Sequence, residues 1–178
     1  TKGKWEVTSF DGVDSDNMKI YYRSTEEGSI NRTLYVQNLI TKEKIKLSQE
    51  LGDNSVKFSK NLKYYMNSYS NANTPPIYTL HKSSGKQIKI LEDNSEFVKK
   101  LDQYNLSKKE IFTIQTKDTE LNAWMIKPPN FDKTKKYPLF MFLYGGPGSQ
   151  QVKNSFWSNN YWHQMLAQKG YIVACVDN

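Results

Sequence analysis

Apolar and polar residues alternate along the first half of the chain, in short runs with a period of two. A period of two places successive side chains on opposite faces and is typical of a β-strand with one buried face. Turn-forming clusters separate the runs, at Asp11-Gly12, Glu27–Ser29, Asn73–Pro76 and Ser83–Gly85. We predict eight strands, at Trp5–Phe10, Ile20–Ser24, Thr33–Gln37, Lys44–Ser48, Ser55–Ser59, Tyr64–Ser68, Ile77–His81 and Gln87–Leu91.

These runs repeat along the chain with an offset of 43 residues. The matching pairs are Tyr21 with Tyr64, Leu34 with Ile77, and Ile45 with Ile88. Four strands in one repeat of this length are the size of one β-propeller blade. We therefore predict that residues 1–95 form two blades, the C-terminal ones of a longer propeller, because closed propellers take typically four to eight. A self-contained sandwich of eight strands remains the alternative.

The spacing of apolar residues changes after Asp93. Apolar residues at helical spacing predict a short connecting helix over Glu96–Leu101, and Ile111–Gln115 with Leu121–Ile126 predict a β-hairpin. We therefore place a domain boundary near residues 95–105 and assign residues 96–178 to a second domain.

A strand, a glycine-rich loop, a helix and a strand follow in this second domain. The continuous apolar run Leu139–Leu143 predicts a strand buried on both faces. The helix is predicted over Asn159–Lys169, with Gly170 as its stop signal and Tyr171–Val176 as another buried strand. Its predicted apolar face carries Trp162, Met165 and Leu166. This order predicts the beginning of a parallel sheet.

Composition narrows the class of protein. With 37% hydrophobic and 24% charged residues, the chain of 178 residues is an ordinary globular sequence. The net charge of +7 does not favour nucleic-acid binding, because 18 acidic residues lie among the scattered lysines. The single cysteine, Cys175, excludes an intrachain disulfide and is predicted to be a buried apolar residue. The chain shows no signal peptide, and its compartment stays open.

The glycine-rich loop is the candidate functional site. Tyr144 and Gly145–Gly148 follow the apolar strand, at the carboxyl edge where parallel sheets place their ligands. The loop does not match a phosphate-binding pattern, although a simple tight turn remains open. In α/β-hydrolases the loop after the third strand supplies part of the oxyanion hole. A phenol can donate a hydrogen bond to a developing oxyanion, so we predict Tyr144 to be an oxyanion stabiliser.

These residues resemble one known family. The stretches "TKGKWEVTS", "KPPNFDKTKKYPL" and "KYPLFMFLYGGPGSQ" resemble the dipeptidyl-peptidase IV family of serine peptidases, within the prolyl-oligopeptidase group. The resemblance implies a mixed fold, in which the last propeller blades precede the first strands and helix of an α/β-hydrolase sheet. Related acylaminoacyl peptidases tend to show histidine where this sequence has Tyr144.

The resemblance also implies an activity. Family members release N-terminal dipeptides, Xaa-Pro or Xaa-Ala, from peptides by a Ser/Asp/His mechanism, with no cofactor and no metal. The family's oxyanion tyrosine falls on Tyr144. The resemblance implies a peptide as partner, no nucleic acid, a parent protein that can form a homodimer, and a secreted, periplasmic or cell-surface location. Substrate-binding residues stay unassigned, because the family's pair of amine-binding glutamates has no matching position here.

The sequence also departs from the family pattern. The nucleophile motif G-x-S-x-G is absent, and Ser149 is interpreted as a loop serine. His81 falls in a propeller strand and His163 in the helix, where a surface position or a partly buried polar contact is expected, so neither is assigned as the base. We expect this polypeptide alone to be inactive and prone to aggregation. The alternatives are a non-catalytic propeller-type interaction module and part of an acylaminoacyl peptidase or oligopeptidase.

Overall fold

The computed structural model describes residues 2–156 and 160–177. This part of the chain forms three four-stranded sheets and two short helices. The first sheet contains β1 (Val7–Asp14), β2 (Lys19–Ser24), β3 (Thr33–Asn38) and β4 (Lys44–Lys46). The second contains β5 (Asp53–Phe58), β6 (Tyr64–Asn71), β7 (Thr74–Lys82) and β8 (Gln87–Glu92). After α1 (Ser95–Asp102), the third contains β9 (Lys109–Gln115), β10 (Glu120–Ile126), β11 (Leu139–Phe142) and β12 (Ile172–Val176), with α2 (Tyr161–Gln168) before β12.

The first two sheets are antiparallel meanders in which each strand pairs with the next along the chain. The eight predicted strands are confirmed, and two such sheets are consistent with two propeller blades. A shared apolar core joins them, because side chains of β2 and β3 pack against those of β5 and β6. Its buried members are Tyr21, Leu34, Val36, Leu47 and Tyr65, with Val56 and Phe58 packed against them.

Some details of the predicted blades are wrong. The turn between β6 and β7 is formed by residues 72 and 73, so Thr74–Pro76 of the predicted turn cluster lie in β7. The Asp11-Gly12 turn lies inside β1, where an irregular register begins after Phe10. A side chain at Gly12 would come within 2.9 Å of the Leu62 side chain, so the glycine serves close packing and not a turn. The matching of Tyr21 with Tyr64 is also wrong in burial, because Tyr64 is 44% exposed, whereas Tyr22 and Tyr65, which have the same offset, are both buried.

The third sheet has the order β11-β12-β10-β9. β9 and β10 form the predicted antiparallel hairpin, and β11 pairs with β12 in parallel, as predicted. β10 pairs with β12 in antiparallel orientation, so the sheet is mixed. Its buried core brings together residues of β10, β12, α2 and the segment that follows the glycine loop, which fixes that segment against the sheet. The core residues are Trp124, Ile126, Val152, Ala167, Val173 and Cys175.

The predicted burial of the first parallel strand is wrong. Leu139 is 58% and Met141 45% exposed, because β11 is an edge strand whose outward-facing side chains contact no covering element among the described residues. β12, in contrast, is buried as predicted because it lies between β11 and β10.

The predicted apolar face of α2 is wrong for Trp162 and Met165, whereas Leu166 packs against the core as predicted. His163 and Ala167 face the core, one turn apart, whereas Trp162 and Met165 remain exposed. Gln164 is buried too, since its side-chain amide accepts from the backbone N–H of Ser107 at 3.0 Å and donates to the Ser107 carbonyl at 2.8 Å. The predicted start of the helix, at residue 159, lies outside the described residues.

Neither described helix is long and apolar enough to cross a membrane.

Candidate functional site

Tyr144 lies in the loop that leaves the carboxyl end of β11. Its side chain is 58% exposed. Gly145 and Gly148 have φ values of 71° and 78°, in the left-handed region that glycine adopts without steric cost. The glycine-rich stretch therefore turns the chain sharply and leaves the tyrosine at the surface.

Gly146 has a different reason to be glycine. A Cβ atom at this position would lie 2.9 Å from Cε1 of the Tyr144 ring. The ring therefore packs directly over the backbone of the loop. Among the described residues the Tyr144 hydroxyl has no hydrogen-bond partner, so its O–H can donate to a bound ligand.

The far end of the loop is anchored by Asp177, which follows β12. Its carboxylate accepts hydrogen bonds from the backbone N–H of Gln151, at 2.9 and 3.0 Å, and of Val152, at 2.8 Å. Backbone donors bound to a carboxylate make strong, charge-assisted hydrogen bonds. Asp177 therefore ties the end of the loop to the carboxyl edge of the parallel pair.

Gln150 joins the loop to the first blade. Its Oε1 accepts a hydrogen bond from Nη2 of Arg32 at 2.9 Å, and its Nε2 donates to the carbonyl of Ser29 at 3.1 Å. Both partners belong to the connection between β2 and β3. A residue beside the glycine loop is thus hydrogen-bonded to the N-terminal sheet.

The segment after Gln150 continues along the blades. The backbone N–H of Asn154 donates to the carbonyl of Ile30 at 3.0 Å, and its side-chain oxygen accepts from the N–H of Ala72 at 3.0 Å. Ser155 donates to the carboxylate of Asp53 at 3.2 Å. The path of this segment is therefore defined by contacts with both blades.

An open cleft lies beside the glycine loop. It is bounded on one side by Gly145–Gln150 and on the other by Ser29, Arg32 and Asn122.

Neither histidine contacts Tyr144 among the described residues. His81 stacks on Tyr65, with ring centroids 4.8 Å apart, and its Nε2 lies 2.8 Å from Oγ1 of Thr79 within the same blade. His163 is 3% exposed and packs against the rings of Trp124 and Phe142, so the expected surface or partly buried position is wrong. The His163 imidazole packs against these aromatic rings as an apolar side chain would.

Burial and nearby charge set the protonation of this interior. Burial lowers the pKa of His163, and the charge of Lys109 lowers it further, which favours neutral imidazole. Burial also lowers the pKa of Lys109 to about 8, and its ammonium lies 4.9 Å from the centre of the Trp124 ring. Cys175 is buried as predicted, and burial raises the pKa of its thiol to about 11, so it is not a reactive thiolate near neutral pH.

Ser149 is exposed in the loop, and its Oγ accepts a hydrogen bond from Nε2 of Gln151 at 2.8 Å. No histidine contacts it among the described residues.

An adjacent pair of carboxylates, Glu26 and Glu27, is engaged in salt bridges: Lys44 binds Glu26, and Lys46 binds Glu27 at 2.9 Å. These two glutamates therefore form salt bridges with lysines of the first blade.

Sequence reasoning missed the residues that hold the loop. An aspartate directly after a buried strand, at the carboxyl edge of a sheet, was an available signal for Asp177. Gln150 and Arg32 carry no such signal, because they are 118 residues apart and meet only in the folded chain.

Comparison with known families identifies one match. The family described as "Dipeptidyl peptidase IV (DPP IV) N-terminal region" matches residues 1–76. This range covers the first sheet and the second as far as the beginning of β7.

Curated relatives match the whole length of the chain. A probable dipeptidyl-aminopeptidase B of Arthroderma benhamiae is 35% identical over 99% of this chain and 20% of its own length. Dipeptidyl peptidase 4 of Felis catus is 38% identical over 99% of this chain and 24% of its own length. The chain therefore spans about a fifth to a quarter of these relatives.

Solved structures match in the same way. The crystal structure of Porphyromonas gingivalis dipeptidyl peptidase 4 superposes with a TM-score of 0.92 and 41% identity, over 99% of this chain and 25% of that one. A putative dipeptidyl aminopeptidase IV from Bacteroides ovatus superposes with a TM-score of 0.87 and 25% identity, over 100% of this chain and 25% of that one. The relative placement of the three sheets is thus shared with an experimental structure.

Proposed function

Because the chain belongs to the dipeptidyl peptidase IV family over the part that it spans, we propose that it supplies the oxyanion-stabilising tyrosine of a dipeptidyl peptidase. In this proposal, residues 1–95 are the last two propeller blades. Residues 96–178 are the connecting helix and the first part of an α/β-hydrolase domain.

Tyr144 acts on the carbonyl group that is attacked. When a nucleophile adds to the carbon of the scissile peptide bond, the carbonyl oxygen gains negative charge. The Tyr144 O–H donates a hydrogen bond to that oxygen. A neutral phenol suits this role, because it donates without itself carrying a charge.

The remaining chemistry lies outside this chain. We assign it no nucleophile, acid or base, so these groups, a Ser/Asp/His set, would come from the rest of the whole protein. The substrate is a peptide from which Xaa-Pro or Xaa-Ala dipeptides are released, without metal or cofactor, and the whole protein can act as a homodimer in a secreted, periplasmic or surface location. The 178-residue chain by itself is inactive.

One observation carries the proposal. An exposed tyrosine, whose hydroxyl has no hydrogen-bond partner in residues 2–156 and 160–177, lies at the carboxyl edge of a parallel strand pair, on a loop whose glycine packs against its ring. This is the edge at which open α/β sheets bind their ligands.

The test is Tyr144→Phe in the full-length protein. Removing one oxyanion donor should lower kcat by roughly 10² to 10³ and change KM little. Tyr104→Phe, which alters another strongly exposed tyrosine, serves as the matched control and should keep kcat.

An unchanged kcat in Tyr144→Phe would remove the oxyanion assignment. Product analysis separates the related activities, since an acylaminoacyl peptidase or oligopeptidase would not release dipeptides from Xaa-Pro peptides.

A further inference from the structure

We propose that Gln150 is a positioning residue for Tyr144, which it holds through its hydrogen bonds to Arg32 and Ser29 of the first blade. The proposal rests on the proposed function, because it concerns the same oxyanion donor. It means that the connection between β2 and β3 helps to set the position of the oxyanion donor.

The glycine loop cannot fix Tyr144 by itself. Gly145 and Gly148 adopt left-handed conformations, and glycine has more accessible backbone states than any other residue. The position of the tyrosine therefore depends on the two ends of the loop. The first end is β11, an edge strand with a single neighbour, β12, among the described elements.

The second end is held by Gln150, whose side chain uses both of its polar atoms. The bond that it accepts from the Arg32 guanidinium is charge-assisted and stronger than a bond between neutral groups. The bond that it donates to Ser29 fixes the plane of the amide. Together the two bonds determine both the distance and the orientation of the end of the loop relative to the blade.

Arg32 is itself held rigidly. Its Nη1 donates to the carbonyls of Ser29, at 2.9 Å, and of Asn31, at 2.8 Å. Its backbone N–H donates to the carbonyl of Gly52 at 2.8 Å, where the first blade meets the second. Gln150 therefore binds to an arginine whose position is fixed by hydrogen bonds to both blades.

The fold does not depend on the Gln150 side chain. Asp177 binds the next two backbone N–H groups, and Val152 is fully buried in the core of the third sheet. Loss of the Gln150 side chain should leave these contacts in place and release only the part of the loop nearest to Tyr144. The expected effect is on the chemical step and not on folding.

The experiment is a double-mutant cycle in the full-length protein, with kcat and KM measured on an Xaa-Pro substrate. Gln150→Ala should lower kcat about tenfold with KM changed little, within the loss of up to about 10² that a displacement of 1 Å can cause. Gln150→Glu can still accept from Arg32 but cannot donate to the Ser29 carbonyl, so it should recover part of kcat. Gln115→Ala is the matched control, because Gln115 is exposed and its amide bonds, within the part of the chain that the structure describes, only to the carbonyl of Thr116.

The double variant that combines Gln150→Ala with Tyr144→Phe tests whether Gln150 acts through Tyr144. If Gln150 acts through Tyr144, Gln150→Ala should lower kcat by less than about twofold when the hydroxyl is already absent, because residues coupled through a shared backbone segment are not additive. A full tenfold loss in that background, or no loss in the single variant, would overturn the positioning role alone.

Two further outcomes are also decisive. An unchanged kcat in Tyr144→Phe would refute the proposed function, and the positioning role with it. A lowered melting temperature in Gln150→Ala that Gln150→Glu does not restore would assign Gln150 to stability and overturn the inference.

Discussion

At the scale of single residues, Tyr144 depends on its neighbour Gly146. Gly146→Ala would place a methyl group 2.9 Å from the ring, and the ring must move to accommodate it. Because Gly146 does not have a positive φ, the substitution forces no side chain into the left-handed region, and we expect it to act through the tyrosine. We expect kcat to fall about tenfold in the full-length protein, as for other displacements of a catalytic group.

Gly170→Ala is the comparison for this prediction. It adds the same methyl group to open space at a glycine outside the loop. Equal kcat losses in the two variants would show that Gly146 has no special relation to Tyr144.

Lys109 gives a prediction for pH. Its pKa is lowered by burial to about 8 in the folded protein, against 10.5 for the ordinary side chain. The unfolded chain therefore binds the proton more tightly between these values, and the contribution of Lys109 to the stability of the folded protein rises with pH across this window. The cost of keeping Lys109 charged below pH 8 is on the order of 3 kcal/mol.

Lys109→Met should remove this dependence. The difference in Tm between the parent and the variant should shift in favour of the parent as the pH rises from 8 to 10.5, as measured by thermal unfolding. Parallel Tm profiles would mean that the lysine is solvated well enough to keep its ordinary pKa.

At the scale of elements, the contact between the two blades depends on Gly52. Its carbonyl accepts from Arg32, and a Cβ atom at this position would lie 2.3 Å from the backbone oxygen of Ser70. Gly52→Ala should therefore push the start of β5 away from β6, disturb the bond from Arg32, and cost at least about 1–3 kcal/mol, the usual range for overpacking. Thermal unfolding should show a lower Tm than for Gly170→Ala, where the cost is about 1 kcal/mol of backbone strain alone. Equal Tm values would show that Ser70 can move away freely.

The elements themselves were largely predictable, because alternation and helical spacing report which face of each segment is buried. The errors arose where a neighbouring element decides the outcome. Gly12 reads as a turn residue, but Leu62 from the second blade occupies the space of its missing side chain. His163 reads as polar, but the rings of Trp124 and Phe142 form a pocket for it.

At the scale of the whole molecule, several apolar side chains stay exposed at the edges of the sheets. Ile88, Ile90 and Leu91 of β8 and Leu139 and Met141 of β11 are exposed. Exposed apolar strand edges promote association. We therefore expect the isolated 178-residue polypeptide to form oligomers or aggregates in size-exclusion chromatography and to hydrolyse no Xaa-Pro substrate. A monomer with a cooperative thermal transition and no activity would favour the interaction-module hypothesis instead.

The sequence by itself determined the strands of the two blades, the parallel pair with its glycine-rich loop, and Tyr144 as the candidate donor. Each of these depends on residues close together in the chain, whose spacing encodes periodicity or a turn. Tertiary structure alone decided that β11 is an edge strand, that α2 turns His163 inward, and that the loop is held by Asp177 and by the bridge from Gln150 to Arg32. These features join residues far apart in sequence. Their stability depends on contacts with distant residues, which the spacing of nearby residues does not encode.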